Sequence, residues 1–400
     1  MRNPHTGRTL AIGAALLSVA AALILATPAR SLIVPHGSTL TASHRSTPAA
    51  ASGLVTPAAR QSSHAASARS TPAASRGRTG ATSPVHPAVK RARRHVLFGG
   101  TTNLLAEQGK VGHLGIVRKY FTLGERFGGR GSDSIMRQGS TMLISLDSPK
   151  HGPSYASIAA GKHDGEIRAF LTQVEQAAVH YHIPAVYIDF EHEANSRPHQ
   201  ALGTPAQFVA AWRHIHTLAA RARANWNTGG RLHWVLVLEH MAYFTRAERP
   251  HWSLSMGFAA NYFAGSAYVD AVAADGYNSG SCGYARPRGY LEPGTQTVTP
   301  GSMFNPLLAF AQQHGNMPVF VAEWASVRYR DSAVRPGFIH SMQQYVLSHP
   351  MIKGVSYWDS WGGGVRGHGG AHSGACNMSV NSDPRSLAAL GVMNHALQNS

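Results

Sequence analysis

Cysteine is nearly absent from this chain, with Cys282 and Cys376 the only two in 400 residues, so one bridge is the most it can form internally. Acid is also scarce. There are 19 Asp and Glu against 36 Lys and Arg, and the first acidic residue is Glu107. Twelve of the basic residues precede residue 95, so the formal charge of +17 divides into +12 for the N-terminal quarter and +5 for the remainder. The high pI therefore describes mainly a tail. Aromatics are missing from its most basic part, "RSTPAASRGRTGATSPVHPAVKRARR", which speaks against nucleic-acid binding, where basic residues interleave with stacking rings on a folded face. Attraction to an anionic cell wall or membrane surface accounts for such a charge more simply. There are 24 histidines but no His-Glu-x-x-His spacing, so neither a metal nor another cofactor is expected.

Long apolar runs are absent but for one, Leu10 to Ala26, preceded by Arg2 and Arg8 and followed by the small-residue stretch "ATPA". This is the pattern of an export signal over residues 1–29, cleaved or retained as a membrane anchor. No cysteine follows it, which excludes a lipoprotein anchor. Residues 30–94 are Ser, Thr, Ala, Pro, Arg and His without apolar periodicity, so they are expected to be a disordered linker. A coil of about 60 residues spans on the order of 45 Å. The protein is thus expected outside the cell or on its surface, as a monomer.

From residue 95 to 400, short apolar runs alternate with longer amphipathic ones. Eight strands are expected, at 95–100, 119–125, 141–147, 185–193, 232–240, 269–278, 317–325 and 352–360. Helix-like segments such as "DGEIRAFLTQVEQAAVHYH" lie between them, and Asp383 with Pro384 opens a last helix. Strand then helix, repeated eight times over about 300 residues, predicts an α/β fold of the (β/α)8 TIM-barrel type. Polar and aromatic residues gather at the C-terminal strand ends, where such barrels place their active sites.

One of those ends asks for an explanation. "AVYIDFEHEAN", residues 185–195, begins as a buried strand and finishes with Asp189, Glu191 and Glu193 on alternate positions. On an extended segment these would share one side and raise each other's pKa. A metal site, a satisfied polar core and a catalytic acid awaiting a partner are the three readings. A candidate partner is Glu323 in "PVFVAEWAS" on the seventh strand. Glycosidic bonds are cut by two carboxyl groups, which retaining enzymes hold about 5 to 5.5 Å apart. Strands four and seven face each other across a barrel mouth.

The ordered set "AAGKHDGEIRAF", "HEAN", "AAWRHIH", "YVDAVAADGYN" and "VFVAEWAS" resembles glycoside hydrolase family 26, best known for β-mannanases and part of a clan of retaining barrel glycosidases. The resemblance implies Glu193 as acid/base and Glu323 as nucleophile. It also implies that His192 contacts sugar in the cleaved subsite, Tyr277 hydrogen-bonds the nucleophile and Trp358 floors the subsite. Asn195 of "HEAN" and Trp324 are counted with the substrate-binding residues, although Trp324 and Trp358 could equally serve packing. Three positions depart from the family pattern: Asp189 stands where an arginine is usual, Ser196 where a glycine is, and "SRPHQALGTP" replaces a Trp-rich loop.

The expected function is hydrolysis of a polysaccharide by a retaining endo-β-glycosidase, mannan-like or related. A surface barrel that binds glycan without cutting it is the alternative. Cys282 and Cys376, in Gly-rich loops after strands six and eight, are expected to pair and to stabilise the fold by up to about 4 to 5 kcal/mol in the chain-entropy picture. Mass spectrometry of the protein secreted by its own host should find the bridge. Two free thiols there would refute it.

Overall fold

A computed structural model describes residues 95–128, 131–149, 152–248, 257–279, 298–360 and 377–400. The export signal, the linker, Cys282 and Cys376 lie outside the described residues. Eight strands close into one parallel barrel in chain order: β1 (Leu97–Thr101), β2 (Ile116–Thr122), β3 (Thr141–Asp147), β4 (Val186–Phe190), β5 (Leu232–Glu239), β6 (Ala271–Asn278), β7 (Val319–Ser326) and β8 (Ile352–Tyr357). β1 closes the ring by pairing with both β2 and β8. The expected (β/α)8 barrel is the observed fold.

Helices cover the outside, and their ends carry the signals that begin them. Thr204 and Gln207 form a reciprocal capping box before the helix Pro205–Arg221. Asp383 accepts from the Ser386 N–H to open Pro384–Gln398. Between helices and sheet lies a continuous apolar layer that includes Phe170, Trp212, Trp234, Phe304 and Ile339. Inside the barrel a second cluster holds Ile116, Leu143, Val235, Val237, Ala271, Ala273, Phe320 and Ala322, joined by Leu97 and Tyr187. It plugs the lower barrel, so chemistry is confined to the upper end. Among the described residues no helix is long and apolar enough to cross a membrane.

Several strand boundaries differ from the sequence expectation, and two of the differences matter. The second strand starts at Ile116, three residues before its expected start, and so takes in Arg118. The fourth ends at Phe190 instead of 193, because Glu191 and Glu193 adopt left-handed backbone angles, φ 59° and 52°. The other three non-glycine residues with positive φ, His182, Arg223 and Asn316, all follow helix ends, where one left-handed residue is a common stop. Glu191 and Glu193 have no such excuse. Each such residue costs on the order of 1–3 kcal/mol, and packing around the mouth must hold it in place.

Barrel closure at β1 depends on missing side chains. A Cβ on Gly99 would lie 1.6 Å from the Ile116 carbonyl oxygen across the β1–β2 pairing. Gly99→Ala must push two paired strands apart and should cost about 3 kcal/mol or more, lowering Tm by roughly 6 °C or more. A thermal melt within about 1 °C of wild type would show that the strands do not meet so closely.

Candidate active site

Alternation along each strand carries the apolar plug upward into a polar mouth. On β2 the inward series runs Ile116, Arg118, Tyr120; on β3, Leu143, Ser145, Asp147; on β6, Ala271, Ala273, Asp275, Tyr277. β7 breaks this rule. Val321 pairs with Ala274 and Glu323 with Asp275, leaving Ala322 as an extra residue, and the register toward β8 shifts over the same stretch. With strict alternation from Phe320 and Ala322, Glu323 would point out into the helical layer. The bulge turns it into the mouth instead.

The same bulge sends Trp324 outward. Its ring is fully buried and packs edge-on against Tyr357 at 5.0 Å and near Phe338 at 6.3 Å. Trp324 is therefore a core residue, and its expected place among the sugar-stacking side chains is corrected. Asn195 is corrected likewise: it is fully buried, accepts from the Glu239 N–H at 3.1 Å and approaches the Glu239 carboxylate at 3.4 Å. It braces the turn after β4 against β5.

The remaining residues do converge. His192, just past β4, places Nε2 3.3 Å from Glu323 Oε1 and Nδ1 3.4 Å from Asp275 Oδ2. Its backbone N–H donates to Asp147 at 2.8 Å. The Tyr277 hydroxyl donates to Glu323 Oε2. Half-buried Glu193 belongs to the same group, since ligand-type atoms of His192, Glu193 and Asp275 all lie within 4.8 Å of one another. Trp358 is half-buried and meets Tyr120 edge-on at 5.8 Å. The two rings, with Thr101, Asn103 and Asp359, line a cleft of about 400 Å³.

Arg118 is the functional residue that the sequence reading missed, because the second strand was expected to begin one residue after it. Only 1% of it is exposed. Its guanidinium donates from Nη2 to His192 Nδ1 at 3.0 Å, lies 3.7 Å from Asp189 Oδ2 and 3.7 Å from Glu323 Oε1, and sits 4.5 Å above the Tyr120 ring. Arginine only donates, so His192 Nδ1 accepts and a neutral imidazole carries its proton on Nε2, facing Glu323. Burial, and Arg118 after it, holds His192 well below its ordinary pKa. By spacing alone His192, Glu193 and Asp275 could ligate a metal, but the guanidinium takes up the Nδ1 lone pair and repels a cation.

Asp189, Glu191 and Glu193 do not share a side. Fully buried Asp189 accepts from Ser145 at 2.6 Å inside the barrel, whereas Glu191 turns to the β3 loop and accepts from the Ser148 N–H at 2.6 Å. Burial pushes Asp189 up to about 7 and Glu191 up to about 8. Burial also pushes Glu193 and Glu323 up to about 8. Their neighbours differ. Glu323 has the Tyr277 hydroxyl, the protonated face of His192 and Arg118 around it, whereas Glu193 is further raised by Glu239. The hydrogen-bond donors thus gather at Glu323, while Glu193 has a second acid beside it. Asp275, with neither carboxylate oxygen hydrogen-bonded among the described residues, is raised well above the carboxylate range by burial and next by Glu193.

No protein-family model matches this chain, and no curated protein does. Solved structures that resemble it include GH26C from Muricauda sp. MAR_2010_75, at 11% identity and a TM-score of 0.45 over 66% of this chain and 79% of that one. A GH128 (subgroup II) endo-β-1,3-glucanase from Sorangium cellulosum has 15% identity and a TM-score of 0.43 over 77% and 99%. The exo-β-1,4-mannosidase Op5Man5 from Opitutaceae bacterium strain TAV5 has 12% identity and a TM-score of 0.49 over 76% and 60%.

Raised carboxyls bind protons in the folded chain that they release on unfolding between their ordinary values and about 7 to 8. The unfolded state holds fewer protons over that window, so stability falls as pH rises through it. Tm should be higher at pH 5 than at pH 8, and the difference should shrink, though not vanish, when Asp189 and Glu191 are both replaced by their amides, because Glu193, Glu323 and Asp275 remain. A Tm that rises toward pH 8 would contradict the protonated mouth.

Proposed function

We propose that the chain is a retaining β-glycosidase acting on a polysaccharide, of the β-mannanase-like type that its motifs resemble. The observation that carries the reading is the pairing of two carboxylic acids of opposite surroundings in one barrel mouth: Glu323 among donors and Glu193 among acids. In the first step ionised Glu323 attacks the anomeric carbon while Glu193 gives its proton to the departing glycosidic oxygen. In the second, Glu193 takes a proton from water, which displaces Glu323 from the sugar. Tyr277 and His192 hold the nucleophile's two oxygens in place, and the ring of Trp358 offers the sugar an apolar floor. We place the enzyme outside the cell or tethered to its surface by its N-terminal apolar run, with the basic stretch against anionic wall or lipid.

Removal of either acid should fail in its own way. Glu193→Ala should still form the glycosyl-enzyme from a substrate whose leaving group needs no proton, and then stall, because no base activates water. Glu323→Ala should lose activity on every substrate, on the order of thousands-fold or more. Azide then distinguishes them: Glu323→Ala gives a glycosyl azide of inverted configuration, Glu193→Ala one of retained configuration. The wild type should release new reducing ends with retained configuration from at least one of mannan, glucomannan, mixed-linkage glucan or xylan. Glycan binding without new reducing ends would make the chain a binding barrel instead, and inverted product would reassign both carboxylates.

A further inference from the structure

At the opposite end of the barrel, in the turn that leads into β5, Trp226 is 50% exposed. It is the one aromatic among the large apolar side chains exposed in the described residues, the others being Val179 and Val392. The ring is not loose. It lies parallel to His233, with centroids 5.4 Å apart and planes within 6°. His233 rests in turn near Tyr187 at 5.6 Å, and Tyr187 on Phe320 of the barrel plug at 4.6 Å. One side of the indole is thus supported on a column of rings that reaches the barrel interior.

The backbone beneath it is equally fixed. Asn225, fully buried, accepts from the Trp234 indole N–H at 2.7 Å and donates to the His216 carbonyl at 3.2 Å. Its own carbonyl accepts from the Thr228 N–H at 3.0 Å and the Gly230 N–H at 2.7 Å. The turn is closed so tightly that a Cβ on Gly230 would come 2.0 Å from the Ala224 carbonyl oxygen. Arg223, Asn227 and Thr228, its near neighbours in the chain, are exposed polar residues. Flat, supported on one side and half exposed, with polar residues next to it in the chain, an indole of this kind presents what the apolar face of a sugar ring stacks on, at little entropic cost because it is already ordered.

We propose that Trp226 is a second glycan-binding platform, separate from the catalytic mouth, that holds the protein on an insoluble β-glycan. The proposal rests on the reading of the chain as a polysaccharide hydrolase. The strand β5 runs from this turn to Glu239 at the mouth, roughly 23 Å along its length, so the platform and the cleft engage different stretches of polymer. Its role is avidity for a solid substrate, with no part in the chemical step.

The test uses the full chain and insoluble, uncharged β-1,4-mannan, β-1,3-glucan and cellulose, on which the basic N-terminal residues have no opposite charge to meet. Wild type should be retained on at least one of them. Trp226→Ala should weaken that retention about tenfold, Trp226→Tyr should keep most of it, and both should match wild type in Tm and in turnover of a soluble oligosaccharide. Equal retention of wild type and Trp226→Ala, or no retention of wild type on any of the three, would overturn the proposal. So would a dimer in sedimentation that Trp226→Ala dissolves, since the ring would then be an interface. Failure of the hydrolase reading is seen separately, as retention that depends on Trp226 with no reducing ends released.

Discussion

One buried guanidinium organises the mouth of this barrel. Arg118 is the cation placed among Asp189, Glu323 and His192, and it has Tyr120 beneath it in place of water. A full positive charge so far from solvent is tolerable only with counter-charge and donors satisfied around it. Several carboxyl groups compete for one cation, so most of them can be buried only as neutral acids. Burial pushes Asp189, Glu191, Glu193 and Glu323 upward, and one guanidinium can offset only part of that for the carboxyls it reaches. It also fixes the tautomer of His192, which then faces Glu323 with its proton.

Getting those groups to meet requires the backbone to leave its regular forms twice, and both departures fall at the two proposed catalytic carboxylates. Ala322 is inserted into β7, and its bulge trades the positions of Glu323 and Trp324. Left-handed residues at 191 and 193 end β4 early and turn Glu191 away from Glu193. Strain confined to two segments on opposite sides of one cavity, in a barrel otherwise regular, is where a site would be built.

The fold was legible because eight apolar runs and the helices between them repeat a single pattern, and because Asp383 with Pro384 announces the last helix. The meeting of Glu193, Glu323, His192 and Tyr277 was legible from motif order. What escaped has a common cause. Arg118 was missed because the alternation Ile116, Arg118, Tyr120 is hidden by Val117 and Lys119, which blur the start of the strand. Trp324 and Asn195 were misplaced because a bulge and a left-handed turn invert the facing of neighbouring residues, and neither leaves a mark such as Gly or Pro in the sequence. Asp189 looked like a mere departure from a family pattern, whereas in space it is the partner of an arginine supplied by another strand.

That partnership acquires a role once the chemistry of the mouth is followed through. Under the proposed double displacement, Glu323 becomes a neutral ester when it bonds to the sugar, and Arg118 loses one of its two carboxylate neighbours at that moment. A buried guanidinium left without counter-charge is costly. Asp189 Oδ2, at 3.7 Å, stands as close to the guanidinium as Glu323 does, and with a pKa of about 7 it ionises readily near neutrality. Asp189, the more easily ionised of the two, would keep Arg118 neutralised through that covalent intermediate without movement of the backbone. An arginine at position 189 would add a second cation there. An aspartate offers Arg118 somewhere to discharge while the nucleophile is occupied, which gives a physical reason for acid at a position where its motif would lead one to expect a base.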